Sequence, residues 1–354
     1  CNKLHNRGIN HFIISVWSPP AHMKDNNNVN EGGHLLPEYY DDYANYCVNF
    51  LQRFERDVGV AAHGLSLQNE PRFVEPYPSC VYNPGTYRDL MKVAGPIIDV
   101  ACPTVKLFAP EDMTTEPTLM LAFVGAIVSD PVSKPHLDVI ASHGYGGDGI
   151  TPGDAGPAKW QRIADTAASF GLDTWMSETS GYPDTWAGAM DVAKAMYGSL
   201  KYGKISSWTW WTLVGDLIPD GGPSSRYAVH AQYGRYIRPG AIMVECVSDD
   251  AEVLATAFDD PTRSRMTLVL VNVGASAKSV VVSGAETPSS YSVMQTTSAA
   301  FMQDSLPAQA AGSVTLPASS ITTLYAPVDP LPAAPRLVPS VTPRRPAGRG
   351  VRMH

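Results

Sequence analysis

The 354-residue chain carries 26 Lys+Arg against 34 Asp+Glu, a formal charge of −8, with 44% hydrophobic and 17% charged residues. The acidic balance argues against nucleic acid or an anionic membrane as the main partner, and the composition is globular rather than disordered. No run approaches the roughly 18 uninterrupted apolar residues of a membrane span. The length allows one large domain, or a barrel-sized domain plus a smaller one.

The five cysteines (Cys1, Cys47, Cys80, Cys102, Cys246) are scattered without C-x-x-C spacing, and the nine histidines include no H-x-H or H-E-x-x-H pair. The cysteine count neither demands nor forbids disulfides, and no metal or organic cofactor is expected. The chain opens at Cys1 without Met, basic region or apolar signal segment. Its first dozen residues already read as the run-up to a core strand. A fragment or processed form is therefore expected, with any targeting signal outside it.

Short apolar runs at 12–17, 65–68, 105–109, 138–142, 174–177 and 205–210 each stop at Pro, Gly or a polar cluster, as buried parallel strands do. Helical patterns alternate with them at about 39–57, 87–100, 116–129, 157–170 and 187–202; in the first, Tyr43, Tyr46, Phe50 and Phe54 fall at helical spacing. Strand-helix repetition of this kind predicts an α/β fold with a parallel sheet. After Arg238-Pro239-Gly240 the runs become short, strand-like and closely spaced up to about Tyr325, which predicts a small antiparallel β-sandwich. Residues 328–354, dense in Pro and Arg, read as a disordered tail.

In Leu65-Ser66-Leu67-Gln68-Asn69-Glu70-Pro71 a buried strand delivers Asn69 and Glu70 to its C-terminal tip, where Pro71 stops it. In a parallel barrel that rim is where active sites are built. Trp175-Met176-Ser177-Glu178-Thr179 repeats the pattern. Either glutamate alone is as well explained by an exposed loop. Two at the same end of different strands can face each other across a cleft, and hydrolysis of a glycosidic bond needs one protonated carboxyl and one carboxylate. Asn69 suits a sugar hydroxyl beside the acid. Trp17, before Ser18-Pro19-Pro20, and Trp208-Thr209-Trp210-Trp211 offer aromatic faces for sugar rings, although core packing is the commoner fate of a strand tryptophan. Alternation puts Trp208 and Trp210 on one face, with Trp211 turned oppositely or into the loop.

Gly144-Tyr145-Gly146-Gly147-Asp148-Gly149 matches G-x-G-x-x-G, but Pro152, Gly153, Gly156 and Pro157 follow, so no helix opens to hold a pyrophosphate. The run is expected to be a flexible rim loop. His143 and Tyr145 beside it are either sugar contacts or a hydrogen-bonded structural pair.

Together these segments resemble glycoside hydrolase family 30, retaining (β/α)8-barrel enzymes with a side β-domain. The matching pieces are Ser15-Val16-Trp17-Ser18-Pro19-Pro20-Ala21, Gly33-His34-Leu35, Gln68-Asn69-Glu70-Pro71, Ala109-Pro110-Glu111, His143-Gly144-Tyr145-Gly146, Trp175-Met176-Ser177-Glu178, Trp208-Thr209-Trp210-Trp211 and Tyr236-Ile237-Arg238-Pro239-Gly240. The resemblance implies Glu70 as acid/base, Glu178 as nucleophile, six of eight barrel strands within residues 1–236 and a side domain over 237–327. It further implies a secreted, monomeric hydrolase of β-linked polysaccharide, with an endo-β-1,4-xylanase as first choice because of the Trp-rich last strand. The alternatives are a β-1,6-glucanase, a β-1,6-galactanase, a glucosylceramidase-like enzyme or a non-catalytic carbohydrate-binding protein. Glucuronoxylan-specific members carry arginines just after the last barrel strand. Leu213-Val214-Gly215-Asp216 has none, which speaks against strict dependence on an acidic side group.

Overall fold

The computed structural model describes residues 1–113, 117–145, 156–284 and 287–327. Most of the glycine-rich loop beyond Tyr145 and the tail 328–354 thus lie outside the described residues. Contacts divide the chain into two compact units, Cys1–Thr179 with Tyr202–Thr209, and Ser180–Lys201 with the described residues 210–327.

The first unit opens with a short helix α1 (Asn2–His5) and contains six strands: β1 (Ile13–Ser15), β2 (Gly64–Ser66), β3 (Lys106–Asp112), β4 (Val139–His143), β5 (Asp173–Glu178) and β6 (Ile205–Trp208). They pair in sequence order, all parallel, as a curled half-barrel. Every residue of β2 and β4 is buried, as expected of strands covered on both faces. Phe108, Val139, Ala141 and Trp175 form one buried cluster, with Ile13 against it. Gly64 makes room for it, since a Cβ there would sit 3.0 Å from the Trp175 ring.

Helices α2 (Tyr40–Val58), α3 (Pro84–Ala101), α4 (Pro117–Ser129) and α5 (Gly156–Phe170) pack in succession along this sheet. Helix α3 starts at an Asn83/Thr86 capping box with Pro84 in the first turn. Helix α2 buries Tyr40, Tyr43, Ala44, Cys47, Val48, Leu51 and Phe54. Of the anticipated aromatic stripe, Tyr46 and Phe50 instead face solvent. The small Ala44 and Cys47 define the contact line, and the two aromatics lie off it.

The second unit holds α6 (Trp186–Lys201) and α7 (Ser225–Gly234), then strands β7 (Ile242–Val244), β8 (Val253–Asp260), β9 (Arg265–Asn272), β10 (Lys278–Val280), β11 (Ser290–Thr297), β12 (Ala300–Gln303), β13 (Gln309–Ala310), β14 (Val314–Leu316) and β15 (Ser320–Pro327). One sheet runs β12-β11-β15-β9-β8-β7 with β13 also on β11, and β10 pairs with β14. All of these pairs are antiparallel. Val253, Ala255, Leu268, Leu270, Val293 and Leu324 of the large sheet share a core with Val314 and Leu316 of the small one. Helices α6 and α7 meet the large sheet as well. There the buried Gln232 side chain donates to Thr296 at 2.7 Å and accepts from Thr323 at 2.6 Å, so its polar head is satisfied.

The five cysteines are free thiols. Among the described residues no helix is long and apolar enough to cross a membrane.

Candidate active site

The tips of β1 and β2 are laced together beyond their last paired residues. Asn69 N–H donates to the Val16 carbonyl at 2.7 Å, and the Gln68 side chain donates to the Trp17 carbonyl at 2.8 Å. The chain then turns sharply, with Glu70 at φ 47° and its N–H on the Glu111 carbonyl at 3.0 Å. Glu111 itself has φ 58°. It lies where the β3–β4 register slips between Pro110 and Asp112. A second slip, between Ser142 and His143 of β4, brings His143 opposite Glu178 of β5. Bulges at a barrel rim re-aim side chains, and these two turn Glu111 and Glu178 toward one point. Arg72 grips the fully buried Asp112 with two nitrogens, the shorter contact being 2.7 Å, and so ties the segment after Glu70 to the end of β3.

His143, the last residue of β4, occupies that point and is fully buried. Its Nδ1 is 3.0 Å from Glu70 Oε1 and 3.8 Å from Glu178 Oε1, and its Nε2 faces Glu111 Oε1 at 3.9 Å. The last contact is an ion-pair distance but too long for a hydrogen bond. Burial opposes a charge on the imidazole. The carboxylates of Glu111 and Glu70 outweigh it and push the pKa up to about 10. Glu70 and Glu178 keep 13% and 15% of their side chains exposed, so a substrate can reach both. One oxygen of each, with a ring nitrogen of His143, falls within a 4.8 Å span. Three such atoms could geometrically surround a cation. Such binding would require the imidazole to give up its Nδ1 proton, while an Nε2–H could stay facing Glu111.

Tyr145 donates its hydroxyl to Glu178 Oε1 at 3.0 Å, and its ring meets His143 edge to face at 5.8 Å. Gly144 permits this turn, since a Cβ there would come 3.0 Å from Thr179. Burial raises the Glu178 pKa and the charges of Glu70 and Glu111 add to it, while His143 and the Tyr145 hydrogen bond oppose. Asn69 is buried, and its Oδ1 has no hydrogen-bond partner among the described residues. Such an orphaned acceptor invites an incoming hydroxyl. Trp17 is half-buried against Tyr77, with rings 5.5 Å apart.

Six of the sequence-predicted residues are therefore placed in the first unit: Glu70, Glu178, Asn69, Trp17, His143 and Tyr145. His143 is fully buried, in contact with the carboxylates of Glu70, Glu111 and Glu178. Trp210 and Trp211 belong to the second unit. There Trp210 donates to Asp216 at 2.6 Å under the Arg226 guanidinium, and Trp211 is 47% exposed. Sequence reasoning about the site passed over Glu111. It is 3% exposed, accepts a hydrogen bond from Ser15 at 2.5 Å and faces His143. Its signal was the same one, a carboxylate at the end of an apolar strand.

Residues 2–231 match the model of the glycosyl hydrolase family 30 TIM-barrel domain, and the chain belongs to that family. It is 25% identical over 274 residues to the glucuronoxylanase XynC of Bacillus subtilis (strain 168), covering 73% of this chain and 60% of that protein. It is 27% identical over 235 residues to the lysosomal acid glucosylceramidase of Mus musculus, covering 63% and 44%. The chain thus spans about three-fifths or less of these two relatives. Among solved structures, the family 30 subfamily 8 xylanase Xyn30A from Clostridium acetobutylicum superposes with a TM-score of 0.76 at 24% identity, over 91% of this chain and 81% of that one.

Proposed function

We propose that this chain is the catalytic part of a retaining β-glycanase, with Glu178 as nucleophile and Glu70 as acid/base. The observation that carries this is the approach of the two carboxylates to within 4.8 Å at the C-terminal rim of parallel strands. Retaining glycosidases hold theirs about 5–5.5 Å apart, and inverting ones 6.5–9.5 Å apart.

In the first step a Glu178 oxygen attacks the anomeric carbon, the glycosidic C–O bond breaks, and the Glu70 proton passes to the leaving oxygen. In the second, water attacks the same carbon, gives its proton to Glu70 and releases Glu178 as a carboxylate. Two inversions give net retention. Tyr145 fixes one oxygen of Glu178 and Asn69 receives a sugar hydroxyl. No step calls on a metal or organic cofactor.

For the substrate we favour a β-1,4-xylan backbone, supported by the glucuronoxylanase likeness and the Trp-rich segment after Ile205. The glucosylceramidase likeness keeps a glucose-configured substrate as the second reading. A polymeric substrate favours extracellular action, and a monomeric state is proposed alongside it. Residues 1–236 would be the catalytic barrel and 237–327 the side domain, with the family match ending at residue 231 in support.

Proton NMR of fresh hydrolysate tests the reading. A β-anomer at the new reducing end, appearing before mutarotation, is expected. An α-anomer, or glycan binding with no reducing ends released, would overturn it.

A further inference from the structure

We propose that Glu111 is a positioning residue: with Glu70 it clamps His143 from both edges of the ring and so fixes the imidazole beside both catalytic carboxylates. The inference rests on the roles assigned above to Glu70 and Glu178.

Glu111 is built for one task. Its carboxylate is buried, its Oε2 is pinned by Ser15, and its Oε1 faces the Nε2 of His143, an atom with no hydrogen-bond partner among the described residues. Its backbone holds a left-handed conformation at a bulge, a costly arrangement that strand pairing alone does not require. Among the described residues, the charged and titratable groups facing His143 are Glu70 from the tip of β2, Glu111 from β3, Glu178 from β5 and Tyr145 beyond β4. Three are acids and none is a competing cation. Glu70 changes protonation during turnover and Glu178 loses its charge on forming the ester. Glu111 does neither, so it can keep the imidazole charged throughout the cycle.

That constancy serves the nucleophile. Before attack, the cation favours ionised Glu178 against the burial that disfavours it. Without Glu111 the ring would lose its proton at lower pH, and the nucleophile would ionise only at higher pH.

Two measurements read this out. Ring 15N NMR of histidine-labelled protein, with the His143 signal assigned by its loss in His143→Asn, should show an imidazolium persisting above pH 9. In Glu111→Gln it should deprotonate at least one pH unit lower. Kinetically, the acidic limb of kcat/KM should move to higher pH in Glu111→Gln and partly return in Glu111→Asp. If Glu111→Gln fails to fold, Ser15→Ala, which unpins Glu111, should shift both readouts the same way by less. A neutral His143 at pH 7 in the parent, or a folded variant with both titrations unchanged, overturns the proposal. Inactivity of the folded parent on every glycan would strike the glycosidase reading alone, because the NMR titration needs no substrate.

Discussion

The backbone N–H of Glu70 donates to the carbonyl of Glu111, and both glutamates hold positive φ, 47° and 58°. One hydrogen bond thus couples two strained residues at the tips of neighbouring strands. Strain of this kind costs on the order of 1–3 kcal/mol per residue and persists where the surroundings over-determine it. At Glu70 it is an expense tolerated for the direction in which the side chain points. Glu70→Gly relieves that strain but leaves buried His143 without its 3.0 Å partner, so a net fall in Tm of no more than about a few degrees is expected while activity drops about 10²–10⁴-fold, the usual contribution of a general acid. Paired calorimetry and kinetics would check it, and a large loss of Tm would mean that the glutamate side chain stabilises the turn.

Glu178 presents a second case of function set against environment. Burial raises its pKa above the ordinary carboxylate value. Because the attacking form is ionised, activity is gained as pH rises through that raised pKa. The acidic limb of kcat/KM should therefore lie above about 4.3, the value of an unperturbed glutamate. Glu178→Gln should abolish turnover and retain the fold. A limb at or below the ordinary value, or substantial residual turnover in the variant, would remove Glu178 as nucleophile.

Arg72 and Asp112 form a bidentate pair with the carboxylate fully buried. Removing only the arginine strands a buried charge, a loss of about 3–5 kcal/mol. Arg72→Ala should lose stability on that scale, and Arg72→Ala with Asp112→Ala should lose less than the two single changes summed. Urea denaturation of the four proteins closes the cycle. Additive losses would mean that the pair is incidental.

The segment that follows Thr209 would suit a neutral ligand if it meets substrate. Asp216 accepts from Trp210 and pairs with Arg226 at 2.9 Å, so the nearby guanidinium is already committed. Val214 is 81% exposed on the same loop. Unbranched xylo-oligosaccharides should be cut at rates comparable to glucuronate-branched ones, as read by product chromatography. A strong preference for the acidic branch would show that a cation elsewhere recognises it.

Much of this arrangement was legible in the sequence because it rests on short-range patterns. Apolar runs ended by Pro or a polar cluster marked all six parallel strands, and Asn69-Glu70-Pro71 and Ser177-Glu178 announced where carboxylates emerge. What escaped depended on register. The bulge at Glu111 and the slip before Glu178 are properties of strand pairs, so neither the convergence on His143 nor the part of Ser15 could be read from one strand. In the sequence His143 fits a sugar contact and a structural pair equally, because a histidine beside a loop carries no mark of burial. In the second unit β7, β12 and β13, of 3, 4 and 2 residues, were too short to show a period. In α2, aromatic spacing outweighed the small residues that define the buried face.

Glu178 as the nucleophile of a xylan-directed site is tested most directly by covalent labelling. Protein incubated with a xylobiose-configured epoxide, and in parallel with a glucose-configured one, would be weighed intact and then mapped by peptide. A single adduct on Glu178 from the xylobiose-configured reagent, absent in Glu178→Gln, is the expected result. An adduct on another carboxylate, or none from either reagent on folded protein, would contradict the assignment.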